Sequence, residues 1–165
     1  MAIRLATAAD AEPLITLRAV MFGDMGTTTD LNSWQGPCRQ ILVDGLTAGD
    51  LIGGVAEADG GTVVASGIAT LRRWLPGPSN PSGLTGYIGS MSTLGAWRRH
   101  GIARRITELL IAELTTRGAV DIELHATESG EGVYRSLGFI DRSQAALTMH
   151  TQLDAAGATE RSDDR

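Results

Sequence analysis

The chain has 165 residues and a formal net charge of −5, and it holds no run of about 18 apolar residues. That length supports one domain with a sizeable core, the acid excess argues against the basic face a nucleic-acid binder needs, and no membrane span is expected. All fourteen basic residues are arginine, which excludes Schiff-base chemistry, a P-loop lysine and a lysine general base, and the single cysteine, Cys38, cannot close an internal disulfide.

Ile3 and Leu5 alternate with Arg4 in residues 2–6, as in a strand. Thr7-x-x-Asp10 reads as a capping box with Asp in place of Glu. It opens a helix to about Met21, on the spacing of Ala11, Leu14, Leu17 and Met21. Residues 23–36 are polar and loop-like, and Pro37 suits the first turn of a second helix reaching about Thr47. Strands at 51–58 and 62–73 flank Asp59-Gly60-Gly61, a hairpin signal. Residues 74–85 are rich in Pro, Gly, Ser and Asn and form a long loop before a third strand at 86–93.

Ile102, Ile106, Leu109, Leu110 and Leu114 share one helical face, closed by Gly118. Residues 120–126 alternate as a half-buried strand, 129–137 form a short helix closed by Gly138, and 139 to about 149 return as strand. The order is βααβββαβαβ, an α+β pattern. One domain is expected over residues 1–150, with a polar, disordered tail at 151–165. With no apolar signal-peptide core at the start and one cysteine, a cytoplasmic location is expected.

Arg98-Arg99-His100-Gly101-Ile102-Ala103 is the most informative stretch. It joins a strand to the longest amphipathic helix, where the first turn has unpaired N–H groups and the helix dipole is positive. Gly101 admits a ligand close to the main chain, and Arg98, Arg99, Arg104 and Arg105 add charge. These features together make a site for a pyrophosphate.

Residues 93–103 resemble the acetyl-CoA-binding motif of the GCN5-related N-acetyltransferases (GNAT), Arg/Gln-x-x-Gly-x-Gly/Ala, with Arg98, Gly101 and Ala103 at its signature positions. Val133-Tyr134-Arg135-Ser136-Leu137-Gly138-Phe139 is similar to that family's tyrosine helix and the Gly-Phe strand start after it. The resemblance implies a GNAT-type acyl-CoA N-acyltransferase fold: a central mixed, mostly antiparallel sheet flanked by helices on both faces. It implies acetyl-CoA as donor, with main-chain N–H groups of Arg98, Arg99, His100, Gly101, Ile102 and Ala103 on the diphosphate and Arg104 as the first side chain to reach a phosphate. It further implies that Met91, Ser92 and Thr93 pair with the pantetheine arm. Thr127 stands where many members carry Asn, and Tyr134 faces the departing sulfur. No metal is implied.

The acceptor is an amine, expected to be a small molecule. Phe22, Asp24, Met25, Asp30 and Trp34 are candidates to line its cavity, one with apolar walls and a single acid, and the loop at 77–83 with Trp74 is a further candidate. Asp24, Asp30, Glu128, Glu131 and His125 are candidate bases, with none assigned. A homodimer and a coenzyme A-binding module without turnover both stay open.

Overall fold

Glycines set how closely the longest helix lies on the sheet. A Cβ at Gly86 would stand 2.6 Å from Cδ1 of Leu114, and one at Gly67 would stand 3.1 Å from Cδ1 of Leu110. Both leucines are fully buried, so any side chain at either glycine would lift the helix from the sheet. A computed structural model describes residues 1–27 and 33–142. Within them run β1 (Ala2–Leu5), α1 (Ala11–Asp24), α2 (Gln35–Ala48), β2 (Leu51–Glu57), β3 (Val63–Arg73), β4 (Leu84–Thr93), α3 (Ile102–Thr116), β5 (Asp121–Leu124) and α4 (Glu128–Arg135).

The strands lie in the order β1-β2-β3-β4-β5. Neighbours are antiparallel, except β4 and β5, which run parallel. This is the mixed, mostly antiparallel sheet expected. Alternation along β2 divides the core: Ile52 and Ala56 join Ile106, Leu110 and Leu114 beneath α3. Val55 joins Leu14, Ile15 and Leu42 beneath α1 and α2. Each large side chain so buried contributes about 1.5–3 kcal/mol.

The entry to α1 is a buried polar knot. Asp10 (6% exposed) accepts from Arg4 Nη1 at 2.9 Å and Nη2 at 2.8 Å, and from the Thr7 N–H at 2.7 Å. Arg4 also reaches Glu57 at 2.8 Å, tying β1 and β2 to the helix start. The Arg4 guanidinium holds the Asp10 carboxyl below the ordinary range against the opposing effect of burial.

One expected strand start is corrected. Residues 139–142 are not strand: the Phe139 N–H is spent on the Tyr134 carbonyl at 3.2 Å, closing the end of α4, and Gly138 takes φ +94°. The rest of that expected strand, and the tail, lie outside the described residues.

Candidate functional site

β4 and β5 are paired only from Thr85↔Asp121 to Ile88↔Leu124. β5 ends there while β4 runs on to Thr93, so the β5-side edge of residues 89–93 has no strand partner among the described residues. On the other edge the register with β3 breaks. Ser66 faces Ser92 and Ile68 faces Gly89, which leaves Gly67 opposite both Ser90 and Met91. Ser90 takes φ +52° at this bulge, and the bulge swings Met91 over Gly67.

After β4 the chain turns tightly into α3. Arg99 has φ +62° and Gly101 has φ +73°. Gly101 holds the left-handed conformation without strain, whereas at Arg99 it costs on the order of 1 kcal/mol. The first α-type backbone bond of α3 runs from the Arg105 N–H to the Gly101 carbonyl at 3.1 Å. The N–H groups of Ile102, Ala103 and Arg104 precede it and lack helical acceptors. Alternating left-handed residues at a helix start form a concave nest of N–H groups suited to an anion.

The arginines of this turn have different tasks. Arg98 donates from Nε to the Thr93 carbonyl at 2.9 Å and from Nη2 to Asp24, tying the end of α1 to the end of β4. Arg104 holds Glu108 at 2.9 Å and the Ser136 hydroxyl at 3.1 Å, bridging α3 to the end of α4. Arg99 has no carboxylate partner among the described residues and is the freest of the three to meet a phosphate. The His100 ring is tied back to the Arg98 carbonyl at 2.7 Å.

The far wall is α4. Its first turn is held by the Thr127 carbonyl, which accepts the Gly130 N–H at 2.9 Å and the Glu131 N–H at 3.0 Å. Tyr134 lies edge-on to Phe139 with ring centroids 6.0 Å apart. Burial pushes its phenol above the ordinary value. The wall, the turn and the β4 edge enclose a cleft of about 610 Å³ lined by Met91, Ser92, Thr93, Arg98, Arg99, Gly101, Ile102, Ala103, Arg104, Thr127 and Tyr134. His100 is the one expected cofactor residue that does not line it.

The expected acceptor residues divide between two cavities. Asp24 and Met25 line the cleft, with Met21. Phe22 and Trp34 line a second, apolar cavity of about 390 Å³ between α1, α2 and the sheet. Helical phase is the reason: Met21 and Asp24 share one face of α1, Arg18 and Phe22 share another, and Met25 follows the helix end. Asp30 lies outside the described residues, and Trp74 is 60% exposed and lines neither cavity. The expected acceptor residues are therefore not brought into one cavity: Asp24 lines the cleft, held by Arg98, and among the described residues the charged side chain lining the apolar cavity is Arg18. Sequence reasoning missed Arg18, although Arg18-x-x-x-Phe22 already places it one turn from a candidate. Of the other candidate bases, His125 bonds the Tyr87 hydroxyl at 3.0 Å and Glu131 holds Arg135 at 2.6 Å; Glu128, Glu131 and His125 line neither cavity. Among the described residues, no group of three His, Cys, Asp or Glu could hold a metal ion, and no helix is long and apolar enough to cross a membrane.

Residues 58–150 match the family model described as an acetyltransferase (GNAT) domain. A GCN5-related N-acetyltransferase from Ralstonia eutropha JMP134 is 28% identical with a TM-score of 0.79, over 90% of this chain and 97% of that one. A predicted acetyltransferase from Clostridium acetobutylicum, solved with acetyl-CoA, is 24% identical with a TM-score of 0.81, over 90% and 95%. An aminoglycoside acetyltransferase from an uncultured soil metagenomic sample, in complex with sisomicin, shares the fold at 14% identity and a TM-score of 0.72, over 92% and 95%. No curated protein matches the sequence.

Proposed function

The chain belongs to the GNAT acetyltransferase family, and from that premise we propose that it is an acetyl-CoA-dependent N-acetyltransferase whose acceptor, a primary amine of a small molecule, attacks the thioester directly. The observation that carries this reading is the turn at Arg99–Gly101. It sets unpaired helix N–H groups into the same cleft as the unpartnered β4 edge and Tyr134.

In this reading the N–H groups of residues 101–104 bind the diphosphate, aided by the helix dipole and the Arg99 side chain. Met91, Ser92 and Thr93 offer main-chain groups to the pantetheine arm as an added strand would. Acetyl-CoA supplies an activated acyl carbon and a good leaving group. As the amine nitrogen bonds to that carbon, an N–H of the β4 edge steadies the charge growing on the carbonyl oxygen, a contact worth about 3 kcal/mol in comparable sites. The C–S bond then breaks and the sulfur leaves as thiolate. A free thiol has a pKa of about 8.5 and a phenol about 10. Burial raises Tyr134 further, so it keeps its proton and acts as a hydrogen-bond donor to the sulfur. Asp24 is committed to Arg98, so in this reading water takes the amine proton. Residues 1–150 form the catalytic domain in this proposal, and its setting is the cytoplasm.

Thermal shift with acetyl-CoA, coenzyme A, ATP and NAD separates cofactor classes, because a ligand that binds only the native state raises the melting point. Acetyl-CoA and coenzyme A should each raise it and ATP and NAD should not. Thiol release with an amine panel then tests transfer. Stabilisation by NAD alone, or no thiol release with any amine, defeats the proposal.

A further inference from the structure

The two cavities share their walls. α1 turns Met21 into the cleft and Phe22 into the apolar cavity, and β4 gives Met91 to the first and Ser90 to the second. Consecutive residues of α1 and of β4 thus face the two cavities. Resting on the acetyltransferase reading, we propose that the apolar cavity takes the acceptor, that this acceptor is an amine bearing a carboxylate on an apolar body, and that Arg18 is the residue that selects it.

Arg18 is the one charged side chain lining the cavity among the described residues. Its guanidinium carbon lies 4.8 Å from the Phe22 ring centroid and 5.9 Å from that of Trp34, and Nη1 donates to the Ser90 hydroxyl. No carboxylate among the described residues pairs with it. Arg4, Arg39, Arg104, Arg117 and Arg135 each hold one. The aromatic faces offset part of the cost of this unpaired cation. They leave most of its five N–H donors unspent.

The same wall offers a second donor. The indole N–H of Trp34 is buried without a partner among the described residues. Ser90 already accepts from Arg18, so its own proton is free to donate. A carboxylate supplies what these donors lack and matches the planar guanidinium fork with two parallel bonds. Leu14, Leu42 and Ile68 leave the rest of the volume to an apolar body. A polycation would bring further positive charge beside Arg18 with no acid among the described lining residues to neutralise it. The same field disfavours the ammonium form of the acceptor amine, which lessens the need for a dedicated base.

Cys38 lines this cavity and is the only cysteine of the chain, so its alkylation reports occupancy without any turnover. Burial raises its thiol pKa, so iodoacetamide labelling is run at about pH 9 to have thiolate present. N-acetylphenylalanine should protect Cys38 in the full chain at concentrations where N-acetylphenethylamine does not. In thiol-release assays, phenylalanine, leucine and methionine should exceed their decarboxylated amines in kcat/KM by roughly ten- to a hundredfold. Arg18→Gln should bring those ratios close to one and abolish the protection, and Arg18→Lys should keep part of both. Equal protection by the neutral analogue in the unaltered protein, protection by neither, or neutral amines used as well as the amino acids would each overturn the proposal. Thiol release with neutral amines alone leaves the acetyltransferase reading standing. Carboxylate-selective protection in a protein that fails to bind acetyl-CoA keeps the cavity's preference and removes the acetyltransferase reading.

Discussion

Adding one methyl group at Gly130 should make α4 more stable and the enzyme slower. A Cβ there would lie 3.2 Å from Cε2 of Tyr134 and 3.3 Å from Oγ1 of Thr127. Both contacts are tighter than ordinary van der Waals separation, so the neighbours must yield by a few tenths of an ångström. The Thr127 hydroxyl is held against the Ser129 hydroxyl at 3.2 Å, so part of the displacement falls on the phenol ring. Gly132 is the internal control, since a Cβ there meets nothing within 4 Å. In a helix, either glycine-to-alanine change gains up to about 1 kcal/mol from propensity. Gly132→Ala should therefore raise Tm and leave kcat unchanged. Gly130→Ala should raise Tm less and lower kcat by roughly three- to tenfold, because small misplacements of a catalytic group are costly. Acetyl-CoA affinity should change little in both. Differential scanning fluorimetry, thiol-release kinetics and calorimetric titration read the three quantities. The same kcat in the two variants would refute the placement of Tyr134 against the reacting sulfur.

Tyr134→Phe should lower kcat by roughly ten- to a hundredfold while acetyl-CoA affinity stays within about twofold. The upward shift of the phenol also means that Tyr134 gives kcat no alkaline fall below about pH 10, which a pH–rate profile checks. Asp10→Asn should cost about 1–3 kcal/mol at neutral pH, since Arg4 and the Thr7 N–H lose a charged acceptor. Because the Asp10 carboxyl titrates lower in the folded state, its contribution is present above the unfolded value and is lost as pH falls through the folded one. Urea melts of the two proteins should differ by a constant amount near neutrality and converge below about pH 4. Gly101→Glu should weaken acetyl-CoA binding at least a hundredfold, since φ +73° strains any side chain and the new carboxylate repels the diphosphate; unchanged affinity by titration counts against the turn as the anion site.

What was legible in the sequence is what local chemistry dictates. A glycine between arginines at a helix start can be read without a fold, because unpaired N–H groups and the left-handed φ belong to the segment itself. The strands around Asp59-Gly60-Gly61 and the buried face of α3 follow from periodicity in the same way. The apolar cavity was not legible, because it depends on which face of α1 meets which strand. Asp24 looked available until the fold brought Arg98, 74 residues away, against it. A lone arginine in an amphipathic helix reads as a solvated side chain. Only the approach of Trp34 and of Ser90 on β4 shows Arg18 to face a cavity between α1, α2 and the sheet. Phe139 looked like a strand start by composition, but its N–H was already taken by the helix before it.

The most direct measurement is a crystal structure of the protein grown with acetyl-CoA. The diphosphate should lie against the N–H groups of residues 101–104, the pantetheine arm along Met91–Thr93, and the sulfur within hydrogen-bond reach of the Tyr134 hydroxyl. Electron density for the ligand in any other cavity, or a diphosphate turned away from that helix start, would contradict it.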